Sequence, residues 1–492
     1  MGNRKKKILL INPIIQYRKG FSVGRGTQAP LGLGIIAALT PSDFDVEILD
    51  EVHDTFELKD ADLVGLTSFT FNVPRAYEIA SMYRAKGIPV VLGGIHASMM
   101  PDEALEYVDS VVIGEAESVW NVLLSDFLAN SLKKKYFGEY LDMGNSPQPR
   151  LDLFSAKYQS ATVQTTRGCP MDCDFCSVTL FNGRKYRERP VAEVLDEIQK
   201  NDKYPQLFFV DDHIVNNSKN AQKRAISLFK GMVDRGIQKP WFGQASLNIV
   251  DNEEVLKWAN KSGCYMILTG FESEKVDGLE TISKRRNLKR GVGFYEQVIK
   301  KMHKHHIATL GAYIFGLDSD TEQDIIDRYQ YVKNSRVDVM QLSILTPLPG
   351  TKVFNKAVEE GRLVKTNFPE DWKYYHFLEV TMKPKNIEPQ RLKELMREIN
   401  RDLFCKENLR KRMFRTLWYT KSFTAAYQSY AYNCTYGRMG LEEEIYDDTK
   451  EGLNYNLEWK NRPRSKYLNR TDWIIAILYQ TFWRRYHYKQ AK

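Results

Sequence analysis

Cysteine is scarce in this chain, with six among 492 residues. That is too few and too scattered for a disulfide framework, and it points to a reducing compartment, the cytoplasm. Long apolar runs are missing as well. Ile8-Leu9-Leu10-Ile11 near the N-terminus is too short for a signal-peptide core or a membrane span. No G-x-G-x-x-G stands ahead of an acidic residue one strand on, which disfavours a dinucleotide site. The net charge of +9 does not come from one basic block: the densest group is Lys406, Arg410, Lys411, Arg412 and Arg415. It reads either as a solvated helix face or as a contact for phosphate, anionic lipid or an acidic partner, and no nucleic acid is expected. With 43% hydrophobic and 27% charged residues the chain is an ordinary globular protein. Its length allows two or three domains.

Half of the cysteines sit together. Cys169, Cys173 and Cys176 form C-x3-C-x2-C in Thr166-Arg167-Gly168-Cys169-Pro170-Met171-Asp172-Cys173-Asp174-Phe175-Cys176. Three thiolates this close can hold one metal cluster, but a [4Fe-4S] cube has four irons, so one is left open to chemistry. Closed electron carriers and structural zinc sites usually supply four ligands.

Ahead of the triad, Lys7 to Asn12, Val46 to Leu49, Leu63 to Thr67, Val90 to Leu92 and Ser110 to Ile113 read as buried strands, separated by helical stretches such as Arg75 to Lys86. Short apolar runs alternating with helices predict an α/β, doubly wound, Rossmann-like parallel sheet. Ligands bind such sheets outside the carboxyl ends of the strands. The candidate binding residues are therefore those just after each run: Ser68, then Gly93, Gly94 and His96, then Gly114 and Glu115. Gly93-Gly94 is equally a tight turn or a place where backbone approaches a flat ligand.

This first unit resembles the cobalamin-binding domain of one large class of radical S-adenosylmethionine (SAM) proteins. The matching pieces are Ala29-Pro30-Leu31-Gly32-Leu33, Leu92-Gly93-Gly94-Ile95-His96 and Asp109 to Glu117. The motif D-x-H-x-x-G, whose histidine ligates cobalt from below, is not found. His53 lacks the spacing, and His96 belongs to another loop.

After Gln159 to Gln164, the triad opens a second alternation. Leu207 to Val210, Trp241 to Ala245, Tyr265 to Leu268, Thr309 to Ile314 and Val339 to Ile344 read as strands, with helices such as Val191 to Asn201 and Ala221 to Arg235 between them. Six strands suggest a partial (β/α)6 TIM-type barrel, whose chemistry belongs in the loops at the carboxyl ends. Here the resemblance is to the radical SAM superfamily, with Phe175 as the aromatic of C-x3-C-x-φ-C.

The resemblance implies that the three cysteines hold a [4Fe-4S] cluster, that SAM occupies its open iron, and that one electron cleaves SAM to a 5′-deoxyadenosyl radical. It implies SAM contacts at Phe175, at Glu272 in Gly270-Phe271-Glu272-Ser273, which otherwise reads as a surface salt bridge, and at Ile314 and Gly316 in Leu310 to Asp318, which is in either case a buried strand ending at a glycine turn. Asp211, in Phe209-Val210-Asp211-Asp212, either contacts SAM or caps the following segment. The arginines of Arg184 to Arg189 either lie near the cluster or form a solvated loop.

The expected layout is a cobalamin-binding unit over residues 1–145, a radical SAM barrel over 150–355 and a mainly helical region over 356–492. Arg391 to Leu417 reads as one or two amphipathic helices on the open side of the barrel. Trp473 to Trp483, flanked by basic residues, reads as a docked helix or as a peripheral contact on the inner face of a membrane. The chain looks similar to hopanoid methylases and related cobalamin-dependent radical SAM methyltransferases. That likeness implies methylation of an unactivated carbon in a small-molecule or lipid substrate, with cobalamin as third cofactor and an electron donor such as flavodoxin or ferredoxin. Radical cyclisation, rearrangement or carbon-carbon coupling is the alternative, and a non-catalytic redox or cobalamin sensor a third reading.

Overall fold

The computed structural model describes residues 4–14, 28–144 and 146–441. The segment Trp473 to Trp483 lies outside the described residues. Two parallel six-stranded sheets organise the molecule. The first contains β1 (Lys6–Asn12), β2 (Phe44–Asp50), β3 (Leu63–Thr67), β4 (Val90–Gly93), β5 (Ser110–Ile113) and β6 (Lys135–Phe137), in the order β2-β1-β3-β4-β5-β6. Alternation along β1 sends Ile8 and Leu10 to one apolar cluster and Leu9 and Ile11 to another, so both faces of the sheet are covered.

The second sheet begins at β7 (Ser160–Val163). A short antiparallel pair follows, β8 (Thr166–Arg167) with β9 (Arg187–Glu188), and brackets the cysteine triad. The sheet then continues through β10 (Gln206–Phe209), β11 (Trp241–Gln244), β12 (Cys264–Glu272), β13 (Ala308–Phe315) and β14 (Val339–Ile344), ordered β14-β13-β12-β11-β10-β7. Each strand follows its neighbour by a helical crossover, as parallel pairing demands. This is the open six-stranded barrel that the alternation predicts.

The C-terminal helices do more than lie on the open side. Helix Phe423–Leu441 contacts β12, β13 and β14. Its Tyr432 and Tyr436 pack with Phe242, Met266, Leu268 and Leu310, the inward-facing residues at the amino-terminal halves of the strands. Arg391 to Leu417, read as one or two helices, is two: Pro389–Leu403 and Lys406–Thr420. The segment between barrel and helices returns to the first unit. Trp372 and Tyr375 join the apolar cluster of Leu9, Val64 and Tyr83, and the Trp372 indole donates to both oxygens of Glu103 at 3.0 and 2.9 Å.

Candidate active site

The carboxyl ends of β1, β3, β4 and β5 face a cavity of about 820 Å³. Its deep end is apolar and runs between Leu10, Leu66, Val91, Val112 and Trp120. Gly65 widens that slot: a Cβ there would press on the end of the Leu10 side chain, 2.8 Å from Cδ2. Ser68, Gly93, Gly94, Gly114 and Glu115 line the cavity higher up. Gly94 holds φ 96° with Ser68 O 2.7 Å from where a Cβ would be, so only glycine fits this close turn. Ser68 Oγ is buried in the wall without a hydrogen-bond partner. A buried hydroxyl without a partner is costly unless a ligand satisfies it. An apolar slot, a glycine cradle and an unsatisfied hydroxyl suit a flat macrocycle with amide side chains and an aromatic tail, as in cobalamin.

Two of the residues expected at this ligand do something else. His96 is fully buried and is not part of the cavity wall: its Nε2 stands 3.2 Å from Glu103 Oε1, and its ring packs edge-on against Trp372. The helix Ile95–Met99 carries it away from the strand end. Glu115 does reach the cavity, but its carboxylate is taken up by Arg187 and Arg167. Burial would raise that carboxyl, and the two guanidiniums outweigh it and hold the group below its ordinary range.

The same cavity continues to the barrel mouth, where Gln164, Ser177, Val178, Phe181, Asp212 and Gln244 line it. Ser177 and Val178 come directly after the last cysteine of the triad. The triad loop is stitched in place at several points. Cys169 N–H donates to Gly183 O at 3.1 Å, Cys176 N–H to Cys173 O at 3.1 Å, and Asp174 N–H to Ile282 O at 3.1 Å. Asp174 also accepts from Ser283 Oγ at 2.7 Å. At Gly168, φ is 94°, and any side chain would run into Lys185 O.

Cys169 is buried, and Cys173 and Cys176 are partly so. Burial pushes the Cys169 thiol up to about 11, that of Cys176 to about 12, and that of Cys173 upward too. Thiols that resist ionisation in the protein alone ionise when a cationic metal group binds them. No three His, Cys, Asp or Glu side chains among the described residues converge on a point that a single ion could occupy. A group of several irons needs no such convergence, because each thiolate takes its own iron. The donor set fits an iron–sulfur cluster better than one ion.

Next to the triad stands a residue the sequence did not advertise. Lys284 Nζ lies 2.6 Å from Glu272 Oε1 and 5.6 Å from the centre of the Phe175 ring. Burial would lower this ammonium, but Glu272 and Cys173 outweigh burial and raise it. Glu272 is held at φ 66° where β12 slips register against β13. Asn287 secures the turn through Nδ2, donating to Gly270 O and Phe271 O at 3.0 Å each. Arg286 donates to Ser246 Oγ at 3.2 Å; burial lowers its guanidinium, against the pull of Cys169 and Cys173. Two cations beside the triad can meet the carboxylate of an amino acid ligand. Neither falls in a periodic pattern or motif that would have marked it.

Ile314 shares an apolar cluster with Phe175. Gly316, at φ 78°, makes room for Leu392, whose Cδ2 would be 2.7 Å from a Cβ there. Its small size thus serves the packing of helix Pro389–Leu403. Asp211 neither faces the cavity nor caps a helix: Ser218 caps the next one. Fully buried, Asp211 accepts from the N–H groups of Thr165 and Thr166 at 2.6 and 2.5 Å and from Thr165 Oγ1 at 3.0 Å. It anchors the strand end from which the triad loop departs. Arg187 and Arg189 are likewise committed, to Glu115 and Glu197, while Arg184 is exposed beside Asp172.

Two family models match the chain: the B12 binding domain over residues 22–124 and the radical SAM superfamily over residues 163–332. Bacteriochlorophyllide d C-12(1)-methyltransferase of Chlorobaculum tepidum is 32% identical over 83% of this chain and 90% of its own. Hopanoid C-2 methylase of Rhodopseudomonas palustris is 25% identical over 74% of this chain and 72% of its own. Among solved structures, the radical SAM methyltransferase TsrM from Kitasatospora setae, with cobalamin and a [4Fe-4S] cluster bound, has the same fold. It aligns with a TM-score of 0.64 at 17% identity, covering 89% of this chain and all (100%) of that one. The chain belongs to the family of B12-binding radical SAM enzymes, with cobalamin, a [4Fe-4S] cluster and SAM as its cofactors.

Proposed function

We propose that this enzyme methylates an unactivated carbon of a large apolar small molecule. The observation that carries the reading is the single cavity that starts in the slot at Gly65 and ends at Ser177 and Val178 beside the triad. Cluster and SAM together supply a radical that can take hydrogen from such a carbon, and cobalamin supplies a methyl group. The protein's own residues hold these parts close to one another and orient them, which is the protein's share in cofactor chemistry.

In this reading Cys169, Cys173 and Cys176 hold the cluster. Lys284 and Arg286 receive the carboxylate of SAM, Glu272 its ribose hydroxyls, and Phe175 and Ile314 its apolar surroundings. Ser68, Gly93, Gly94 and Gly114 receive the corrin and its side chains. The substrate class follows from the rim, where Phe69, Leu348 and Phe377 line the cavity and Phe69 is 61% exposed. Phe69 and Phe71 stack face to face with ring centres 5.7 Å apart. Bacteriochlorophyllides and hopanoids, after which the relatives are named, are extended apolar molecules of the kind such a rim would accept. An electron donor completes the requirement.

The test is anaerobic turnover of the reconstituted protein with SAM labelled in its methyl group, a reductant and candidate polycyclic or tetrapyrrole substrates. Label in the product, with S-adenosylhomocysteine and 5′-deoxyadenosine both released, is the expected result. Deoxyadenosine with an unlabelled product would replace methylation by radical cyclisation or rearrangement. Cys173→Ala is expected to abolish both SAM products.

A further inference from the structure

Two carboxylates and two guanidiniums close the seam between the two sheets. Arg187 grips Glu115 with both prongs, Nη2 to Oε1 at 2.5 Å and Nη1 to Oε2 at 2.9 Å. Arg167 Nη1 stands 3.1 Å from the same Oε2, and its Nη2 donates to Glu117 Oε1 at 2.8 Å. None of the four side chains is more than 16% exposed. Charges cancel within the group, and further hydrogen bonds tie it to its surroundings. Leu141 N–H donates to Glu115 at 3.1 Å, and Arg187 donates to Leu141 O and Asn182 O at 2.7 and 2.9 Å. Arg167 donates to Gln164 Oε1 at 2.9 Å.

Where these charges sit matters more than how many bonds they make. Glu115 and Glu117 follow β5 and, with Arg167, line the cavity at the strand ends. Arg167 and Arg187 are opposite one another in the β8–β9 ladder, and Cys169 comes two residues after Arg167. One charged group thus forms part of the corrin chamber and also grips the hairpin that carries the first cluster thiol. A planar guanidinium bound at two points fixes orientation as well as distance, which an ammonium cannot do.

We propose that Glu115 and Arg187 are positioning residues that set the distance and angle between cobalamin and the iron–sulfur cluster. The proposal rests on the cofactor assignment given above. A pair that only stabilised the fold would leave that distance unchanged when it was weakened.

The experiment loads the full chain with cob(II)alamin and the one-electron-reduced cluster and reads the magnetic coupling between the two spins by pulsed electron paramagnetic resonance. The native protein should give one narrow distance. In Arg187→Lys, which keeps the charge and loses the fork, both groups stay bound, and the distance broadens and shifts by about 1 Å, a displacement large enough to cost an enzyme about a hundredfold in rate. Glu115→Gln should do the same. Arg75→Lys, which weakens the buried Arg75–Glu51 pair inside the first unit, should leave the distance as it was. An unchanged distance in Arg187→Lys, or equal broadening in Arg75→Lys, would overturn the proposal. A native protein that binds neither group would instead overturn the cofactor assignment, and the proposal with it.

Discussion

Lys284 and Glu272 form a closed ion pair beside the cysteine triad, 2.6 Å apart, across the missing side chain of Gly270. A Cβ at Gly270 would overlap Glu272 Oε1 and stand 3.0 Å from Lys284 Nζ. Glycine at this point of β12 is what allows the pair to close over the strand.

Removing one member of that pair strands the other. Lys284→Met is expected to destabilise the cluster-free protein by about 3 kcal/mol, because an unpaired buried carboxylate is left behind. Glu272→Gln added to Lys284→Met should restore much of the loss. Urea denaturation of the two variants beside the native chain measures this, and a double variant no more stable than Lys284→Met would show that the pair is not the cause.

The apolar slot beneath the proposed corrin site can be filled from Gly65. Alanine should be tolerated there, since the atom it meets is the far end of the flexible Leu10 side chain. Valine goes further, and overpacking of this kind costs about 1–3 kcal/mol. Gly65→Val is expected to weaken hydroxocobalamin binding at least about tenfold, equivalent to about 1.4 kcal/mol. An absorbance titration reads it, and native affinity in Gly65→Val would place the cofactor elsewhere.

Trp372 links the C-terminal region to the first unit. It is fully buried, stacks on Phe368 at 3.7 Å between ring centres, and donates to Glu103. Trp372→Ala should cost about 3–5 kcal/mol. Thermal or urea unfolding would detect it, and a change below 1 kcal/mol, about the size of an ordinary surface effect, would mean that the contact does not hold the two regions together.

Asp211 gives the fold a pH dependence with a definite sign. Burial raises its carboxyl from 3.8 to about 6, against the hydrogen bonds from Thr166 and Thr165. Between those values the folded protein holds a proton that the unfolded chain has released. The contribution is therefore fully present below about pH 4 and is lost as pH rises toward 6, by at most about 1.4 kcal/mol per pH unit. In Asp211→Asn the amide oxygen can still accept from both N–H groups, so this slope should vanish from the variant and appear in full in the difference between native and variant stability. A difference independent of pH over that range would refute the assignment.

Much of the architecture was legible because buried parallel strands announce themselves as short apolar runs. Leu63–Thr67, Ser110–Ile113 and Val339–Ile344 fall where those runs place them. The three-residue edge strand Lys135–Phe137 and the two-residue ladder of Thr166–Arg167 with Arg187–Glu188 are too short to carry a period. The rule that ligands gather at strand ends picked out Ser68, Gly94 and Glu115, which do line the cavity. It could not tell which polar groups were already spoken for. Asp211 and His96 look like ligands in sequence and turn out to be bonded to Thr165, Thr166 and Glu103, because a carboxylate's partner can lie far along the chain. Lys284 was invisible for the converse reason: its importance comes from Glu272 and the triad, neither of them next to it in sequence.

Helix Phe423–Leu441 sits where the barrel's inner wall would otherwise meet water. Asn433 donates to Asp338 O at 2.8 Å and accepts from Met340 N–H at 3.3 Å, and Tyr432 lies 5.5 Å from the Phe242 ring. Phe242, Met266 and Leu310 therefore cannot be fully buried until residues far beyond the last strand have been synthesised. On the ribosome the catalytic sheet stays unfinished to the end of the described chain, and a truncation before Phe423 would leave an exposed, aggregation-prone interior rather than a shorter enzyme.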